Sequence, residues 1–150
     1  MSKTVGYMVT WTTYGSWLPG DERRYVANGQ ILAPDSKILE RNKKRLKSSA
    51  VKLSKEEIKL VQQVILSEAK KIAHEILALA VCTNHVHLAA RANDKLIEDI
   101  VGRYKSLTTS SLWELGRKGR IWTKGYDKRF CFSEEDLILK IHYVNKHNYD

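Results

Sequence analysis

Several classes of residue and segment are scarce or missing in this chain. It has two cysteines in 150 residues, Cys82 and Cys131, too few for a disulfide framework. Cys82 lies in an apolar run and Cys131 between Phe130 and Phe132, so both are expected as buried thiols. No apolar run approaches the roughly 18–20 residues of a membrane-spanning helix, which excludes an integral membrane class. The first residues, Met1 to Tyr7, lack the long apolar core of a secretory signal, so the cytoplasm is the expected compartment, with no membrane partner. Internal repeats and low-complexity tracts are also absent. Acidic residues are outnumbered, 17 Asp and Glu against 26 Lys and Arg, for a net charge of +9. That excess favours a polyanionic partner, nucleic acid above all.

What is present suits one compact domain over residues 1–150, long enough to bury a core at 43% hydrophobic content. The positive charge is clustered. Arg41, Lys43, Lys44, Arg45 and Lys47 form one run, Arg117, Lys118 and Arg120 a second, and Lys124, Lys128 and Arg129 a third. A single cluster is explained by a solvated face; three in a small domain point to phosphate contact. Lys105, beside Tyr104, joins that candidate set.

Residues 5–13 alternate and are rich in β-branched and aromatic types, which predicts a strand. Residues 14–53 carry Gly15, Pro19, Gly20, Gly29 and Pro34 ahead of the first basic run and are expected as a long functional excursion. Ser54 and Glu57 form a capping-box pattern, and Ile58, Val61, Ile65, Ala69 and Ile72 recur at helical spacing, predicting a helix over 54–73. Residues 76–82 are continuously apolar, as for a central strand buried on both faces. In 85–91, Val86, Leu88 and Ala90 face one way and His85 and His87 the other, and Cys82-Thr83-Asn84 is short enough for a hairpin turn. Asn93 or Asp94 is placed to cap a helix whose core side carries Ile97, Val101, Tyr104, Leu107, Leu112 and Leu115, ending at Gly116. Residues 120–123 and 128–132 are expected as a last strand or strand pair, and Ser133 opens a final helix reaching about 148. The order β-α-β-β-α-β-α is α+β. Its first six elements match a ferredoxin-like antiparallel sheet with helices on one face, leaving His85 and His87 on the uncovered face.

Two histidines at i and i+2 on a strand point to one side and can clamp a cation, although paired sheet histidines also arise with no ligand. Here both lie opposite the apolar alternation, so the core needs neither. Imidazole suits Mn²⁺, Zn²⁺ and other first-row ions. The final helix has an apolar stripe of Leu137, Ile141 and Val144, with Tyr143 and His147 on a neighbouring flank, four apart. Tyr143 is thereby a candidate nucleophile, the alternative being a tyrosine at the rim of the core. His147 is a candidate third ligand, and His142 is expected in solvent. A phenol with an ordinary pKa of ~10 needs a cation or base to ionise near neutrality. Tyr104, in register with Val101 and Leu107, is expected in the core.

Asn84-His85-Val86-His87-Leu88, Tyr143 with Asn145, and the stretch Thr10-Trp11-Thr12-Thr13-Tyr14-Gly15-Ser16-Trp17-Leu18-Pro19-Gly20-Asp21-Glu22-Arg23 together resemble the HUH-superfamily single-tyrosine transposases. These are the transposases of short bacterial insertion sequences, with the REP-associated tyrosine transposases among them. The resemblance spans essentially the whole chain and includes Trp122 and Gly125-Tyr126 before the last helix. It implies a ferredoxin-like fold with a tyrosine-bearing C-terminal helix. It also implies a divalent metal, Mg²⁺ or Mn²⁺, on His85 and His87, and Tyr143 attacking a phosphate of single-stranded or hairpin DNA to give a 5′-phosphotyrosine link. The family often places Gln one turn after the tyrosine; this chain has His147. It commonly reads Met-Pro before the Asn-His pair, where this chain has Cys82-Thr83. Relatives act as homodimers or as monomers; a homodimer is expected here, with a monomer as the alternative. Phosphates would meet the basic clusters, and Trp11, Tyr14 or Trp17 would stack on bases or pack in the core. Two other readings are a silent nucleic-acid-binding regulator of the same fold and a metal-dependent phosphodiesterase that activates water.

Overall fold

A computed structural model describes residues 3–16 and 50–149. The expected excursion over 14–53, with Trp17 and the run from Arg41 to Lys47, falls almost wholly outside the described residues. Among those described, the elements are β1 (Gly6–Thr12), α1 (Lys55–Lys71), β2 (Ile76–Val81), β3 (His85–Arg91), α2 (Ile97–Leu115), β4 (Asp127–Cys131) and α3 (Glu134–Lys146), closed by a 3-10 turn over His147–Tyr149. The strands form one antiparallel sheet in the order β2-β3-β1-β4. This is the ferredoxin-like α+β arrangement expected from the element order.

Period-two alternation divides the sheet into two faces. Tyr7, Val9 and Trp11 of β1 and Val86, Leu88 and Ala90 of β3 pack with Val61, Ile65 and Ala69 of α1 and Val101, Tyr104 and Leu112 of α2. The other face is small: Met8, Ala78, Ala80 and Ala89, packed with Val144 and Ile141 of α3. Three alanines where large side chains would otherwise stand allow α3 to lie close to the sheet. Gly6 does the same at the other end of the helix. A Cβ there would meet Leu137 Cδ1 at 2.8 Å and the Ala90 carbonyl oxygen at 2.7 Å.

The local signals for α1 and α3 act as expected. Ser54 accepts from the Glu57 amide at 3.2 Å while Glu57 accepts from the Ser54 amide at 2.9 Å, a reciprocal capping box. Ser133 caps α3 through the Asp136 amide, with Glu134, Glu135 and Asp136 at its positive end. The hairpin between β2 and β3 closes through the Cys82 amide and the His85 carbonyl.

Several expectations need correcting or narrowing. β2 is an edge strand, not a central one. Its apolar run reflects cover on both faces, by α1 and by α3, which a sequence cannot distinguish from strand neighbours on either side. The face carrying His85 and His87 is not open, because α3 lies across it. Helix α2 starts at Ile97 after Leu96, which makes no side-chain cap; Asn93 Oδ1 instead accepts from the Lys95 amide in a turn ahead of the helix. Its buried stripe is Ile100, Val101, Tyr104, Thr108 and Leu112, while Leu107 and Leu115 are exposed. In the 120–123 segment only Trp122 pairs, as a single bridge to Thr13, and the strand proper is β4. Cys131 is buried, Cys82 only partly so, and the two form no disulfide.

Candidate metal and nucleophile centre

Strand β3 lies between β1 and β2, and its register sets the first half of the site. Thr10 is the cross-strand partner of His87, and Thr12 that of His85. Thr10 Oγ1 lies 2.7 Å from His87 Nδ1, and Asn84 Oδ1 lies 2.7 Å from His85 Nδ1. From α3, His147 Nδ1 lies 2.9 Å from the carbonyl oxygen of Tyr143, one turn earlier. A carbonyl oxygen can only accept, so Nδ1 of His85 and of His147 carries the proton and donates. Nε2 of each ring is then left with its lone pair exposed. The Thr10 hydroxyl permits the same tautomer at His87.

The three imidazoles are gathered closely. His85, His87 and His147 each offer one ligand atom, and these atoms lie within 4.8 Å of one another. The ring of His87 is 4.6 Å from that of His85 and 4.3 Å from that of His147. Nε2 of His85 and of His87 are both buried without a hydrogen-bond partner. Buried polar nitrogens are normally satisfied, so a closely spaced orphan pair is suited to holding a cation. Burial, and then the neighbouring imidazoles, hold the His87 pKa down to about 3. Burial and His147 lower that of His85. Neutral rings are the form that donates a lone pair to a metal. Each Nδ1 is held by a protein oxygen, the arrangement that fixes ring orientation around metals.

Tyr143 stands beside this cluster. Its ring is 4.8 Å from that of His147 and 5.4 Å from that of His87. It is 41% exposed, whereas Leu137 and Val144 on the adjacent stripe are buried. The two other histidines differ. His142 is exposed. His74 is buried between two phenols, 2.6 Å from Tyr7 and 2.6 Å from Tyr104. Burial holds its pKa near 4. Tyr104 is fully buried, and its phenol is raised above the usual range by the same cause.

The expected phosphate contacts separate into distinct groups. Arg41, Lys43, Lys44 and Arg45 lie outside the described residues. Arg117 is engaged within the fold. It pairs with Glu57 at 2.7 Å, donates to the Lys52 carbonyl at 2.7 Å, and so ties the end of α2 to the start of α1. Lys105 Nζ donates to the carbonyls of Thr123 and Gly125, and burial lowers its pKa to about 8. Arg129 pairs with Asp127 and Lys128 stands 5.6 Å from the Phe130 ring centroid. Lys118 and Lys124 are exposed, and the Arg120 guanidinium lies 4.8 Å from the Tyr14 ring centroid. Trp11 is fully buried, edge-on to Trp122, and takes no part at the surface. Thr10 escaped the sequence reading as a site residue, because only the strand register reveals that it faces His87.

Comparison with known proteins gives the family and structures of similar fold. Residues 37–147 match the family described as IS200-like transposases. No curated protein matches the chain. Among solved structures, a REP-associated tyrosine transposase bound to a REP hairpin is similar with a TM-score of 0.58 at 12% identity, over 99% of this chain and 71% of that one. A protein of Deinococcus radiodurans R1 assigned as a transposase is similar with a TM-score of 0.53 at 17% identity, over 98% and 93% respectively. At these identities the two structures bear on the fold.

Proposed function

This chain belongs to the IS200-like transposase family, and on that premise we propose that it nicks and rejoins single-stranded DNA through a 5′-phosphotyrosine intermediate, at hairpin ends. Tyr143 is the nucleophile, and His85, His87 and His147 hold a divalent cation. One observation carries this reading: two buried, unpartnered Nε2 atoms converge with a third imidazole directly beside an exposed tyrosine. A cation held there would polarise a phosphoryl oxygen and offset charge that develops on the phosphate. Three nitrogen donors suit Mn²⁺ better than Mg²⁺, which prefers oxygen.

The protein's own part is positioning. The apolar stripe of α3 fixes the helix on the Ala78, Ala80 and Ala89 seat, and this holds Tyr143 beside the imidazoles. The Tyr143 oxygen attacks phosphorus, the 3′-oxygen of the upstream nucleotide leaves, and the downstream strand stays joined through its 5′-phosphate. Attack by a 3′-hydroxyl from another strand reverses the step, so rejoining needs no nucleotide cofactor. All four side chains come from one chain, which supports action in cis. The domain acts on DNA in the cytoplasm.

The test is incubation with a single-stranded hairpin oligonucleotide and Mn²⁺, followed by a denaturing gel. The expected result is a covalent protein–DNA band that disappears in Tyr143→Phe and on chelation. Cleavage with no covalent band would favour water activation by a phosphodiesterase. Binding with neither cleavage nor band would favour a silent regulator.

A further inference from the structure

On the α2 side of the sheet lies an open groove of about 800 Å³ that the metal and nucleophile centre does not use. One wall is α2, with Thr109, Ser110 and Trp113; the other is the 119–125 segment, with Arg120 and Lys124. No acidic residue lines it among the described residues. Trp113 is 52% exposed, yet it is not loose: its indole N–H donates to the Gly119 carbonyl at 2.7 Å. A tryptophan that contributes little to the core and is fixed in orientation presents a rigid aromatic face to solvent. Trp122 differs, being buried with its N–H on Thr108 Oγ1.

The opposite wall is fixed as well. Lys105 clamps it through the carbonyls of Thr123 and Gly125. Arg120 Nε donates to the Trp122 carbonyl while its guanidinium covers the half-exposed Tyr14 ring. This wall also leads to the catalytic face. The Thr123 amide donates to the Thr12 carbonyl at 3.0 Å, the Thr12 hydroxyl reaches Thr123 Oγ1 at 3.2 Å, and Thr12 is the cross-strand partner of His85. The groove therefore begins at the end of the sheet where the histidine pair begins.

We propose that this groove is a second DNA subsite, which takes an unpaired nucleotide of the strand whose scissile phosphate lies at Tyr143. The base stacks on Trp113 and the adjoining phosphates meet Arg120 and Lys124. Stacking on an aromatic face with flanking cations is how single strands are held without sequence readout, and duplex DNA, with its bases already stacked, fits it poorly. The assignment rests on the strand-transfer reading above.

The test uses the full chain carrying Tyr143→Phe, without metal, so that binding is observed without cleavage. Oligothymidine is titrated while tryptophan emission and fluorescence anisotropy are recorded. Binding should quench the emission. Trp113→Ala should remove most of the quench and weaken binding roughly 5- to 150-fold, Trp113→Tyr should restore affinity, and melting temperatures should stay close to the parent because the ring is exposed. Arg120→Ala and Lys124→Ala should each lower the slope of log affinity against log salt by about 0.7. Unchanged affinity and quench in Trp113→Ala, or equal competition by duplex DNA, would overturn the subsite. Trp113-dependent binding with no covalent band in the Tyr143 protein would instead refute the strand-transfer reading and leave the groove standing.

Discussion

Replacing Thr10 by valine isolates the contribution of one hydroxyl to the histidine centre. The two side chains have nearly the same shape, and Thr10 is 3% exposed, so the change deletes a hydrogen bond without opening a cavity. The bond lost is the 2.7 Å contact to His87 Nδ1. Leaving the buried Nδ1 without a partner costs about 1–3 kcal/mol. It also frees the ring to turn out of the orientation that holds Nε2 towards the other imidazoles. Removing an oxygen that orients a ligating histidine typically weakens metal binding ~10- to 100-fold. Titration calorimetry of the apo chain with Mn²⁺ should show that loss for Thr10→Val, with near-normal affinity in Thr10→Ser. Thermal melts of the apo proteins should show Thr10→Val about 2–10 °C lower. A folded Thr10→Val chain with unchanged Mn²⁺ affinity would refute the argument that the strand register places Thr10 to orient the ring of His87.

Other consequences are equally concrete. Hydrogen bonds from Arg117, with Ser54 adding to them, hold the Glu57 carboxyl at about 2 instead of the ordinary 4.5. The ionised form is the one favoured by folding, so its contribution, on the order of 2–3 kcal/mol, is full above pH 4.5 and lost as pH falls towards 2. Melts against pH should show Glu57→Gln destabilised at neutrality and less sensitive to acid in that window; parallel curves would contradict this. Tyr104→Phe removes the 2.6 Å bond to His74 and should lower the melting temperature by a few degrees while leaving the covalent band intact. Mixing His87→Ala with Tyr143→Phe should restore no activity if Tyr143 acts on the histidines of its own chain, and recovery on mixing would show action in trans.

The elements were legible in the sequence wherever the controlling interactions are local. The Ser54 and Glu57 box, the Ser133 cap, the alternation in β3 and the stripe of α3 each act within a few residues, and each appears where the pattern placed it. What could not be read depends on partners distant in sequence. Alternation put His85 and His87 opposite the main core but could not say that α3 would cover that side. An apolar run announced that β2 is covered twice, not that it lies at an edge. Basic runs gave charge without its use, and Arg117 turned out to be committed to Glu57, sixty residues away. Tyr143 and His147 could be paired from their spacing alone because one helical turn brings them together. Their placement against His87 required the close approach of α3 that Gly6 and three alanines permit.

The central claim is that Tyr143 carries the DNA, and peptide mapping of the covalent adduct tests it most directly. Trypsin releases Ile141-His142-Tyr143-Val144-Asn145-Lys146, which contains one tyrosine and neither serine nor threonine. After nuclease digestion of the adduct, mass spectrometry should find a nucleotide linked through its 5′-phosphate on this peptide. Recovery of the nucleotide on a peptide containing Tyr104, or on any other, with Ile141–Lys146 unmodified, would contradict the account.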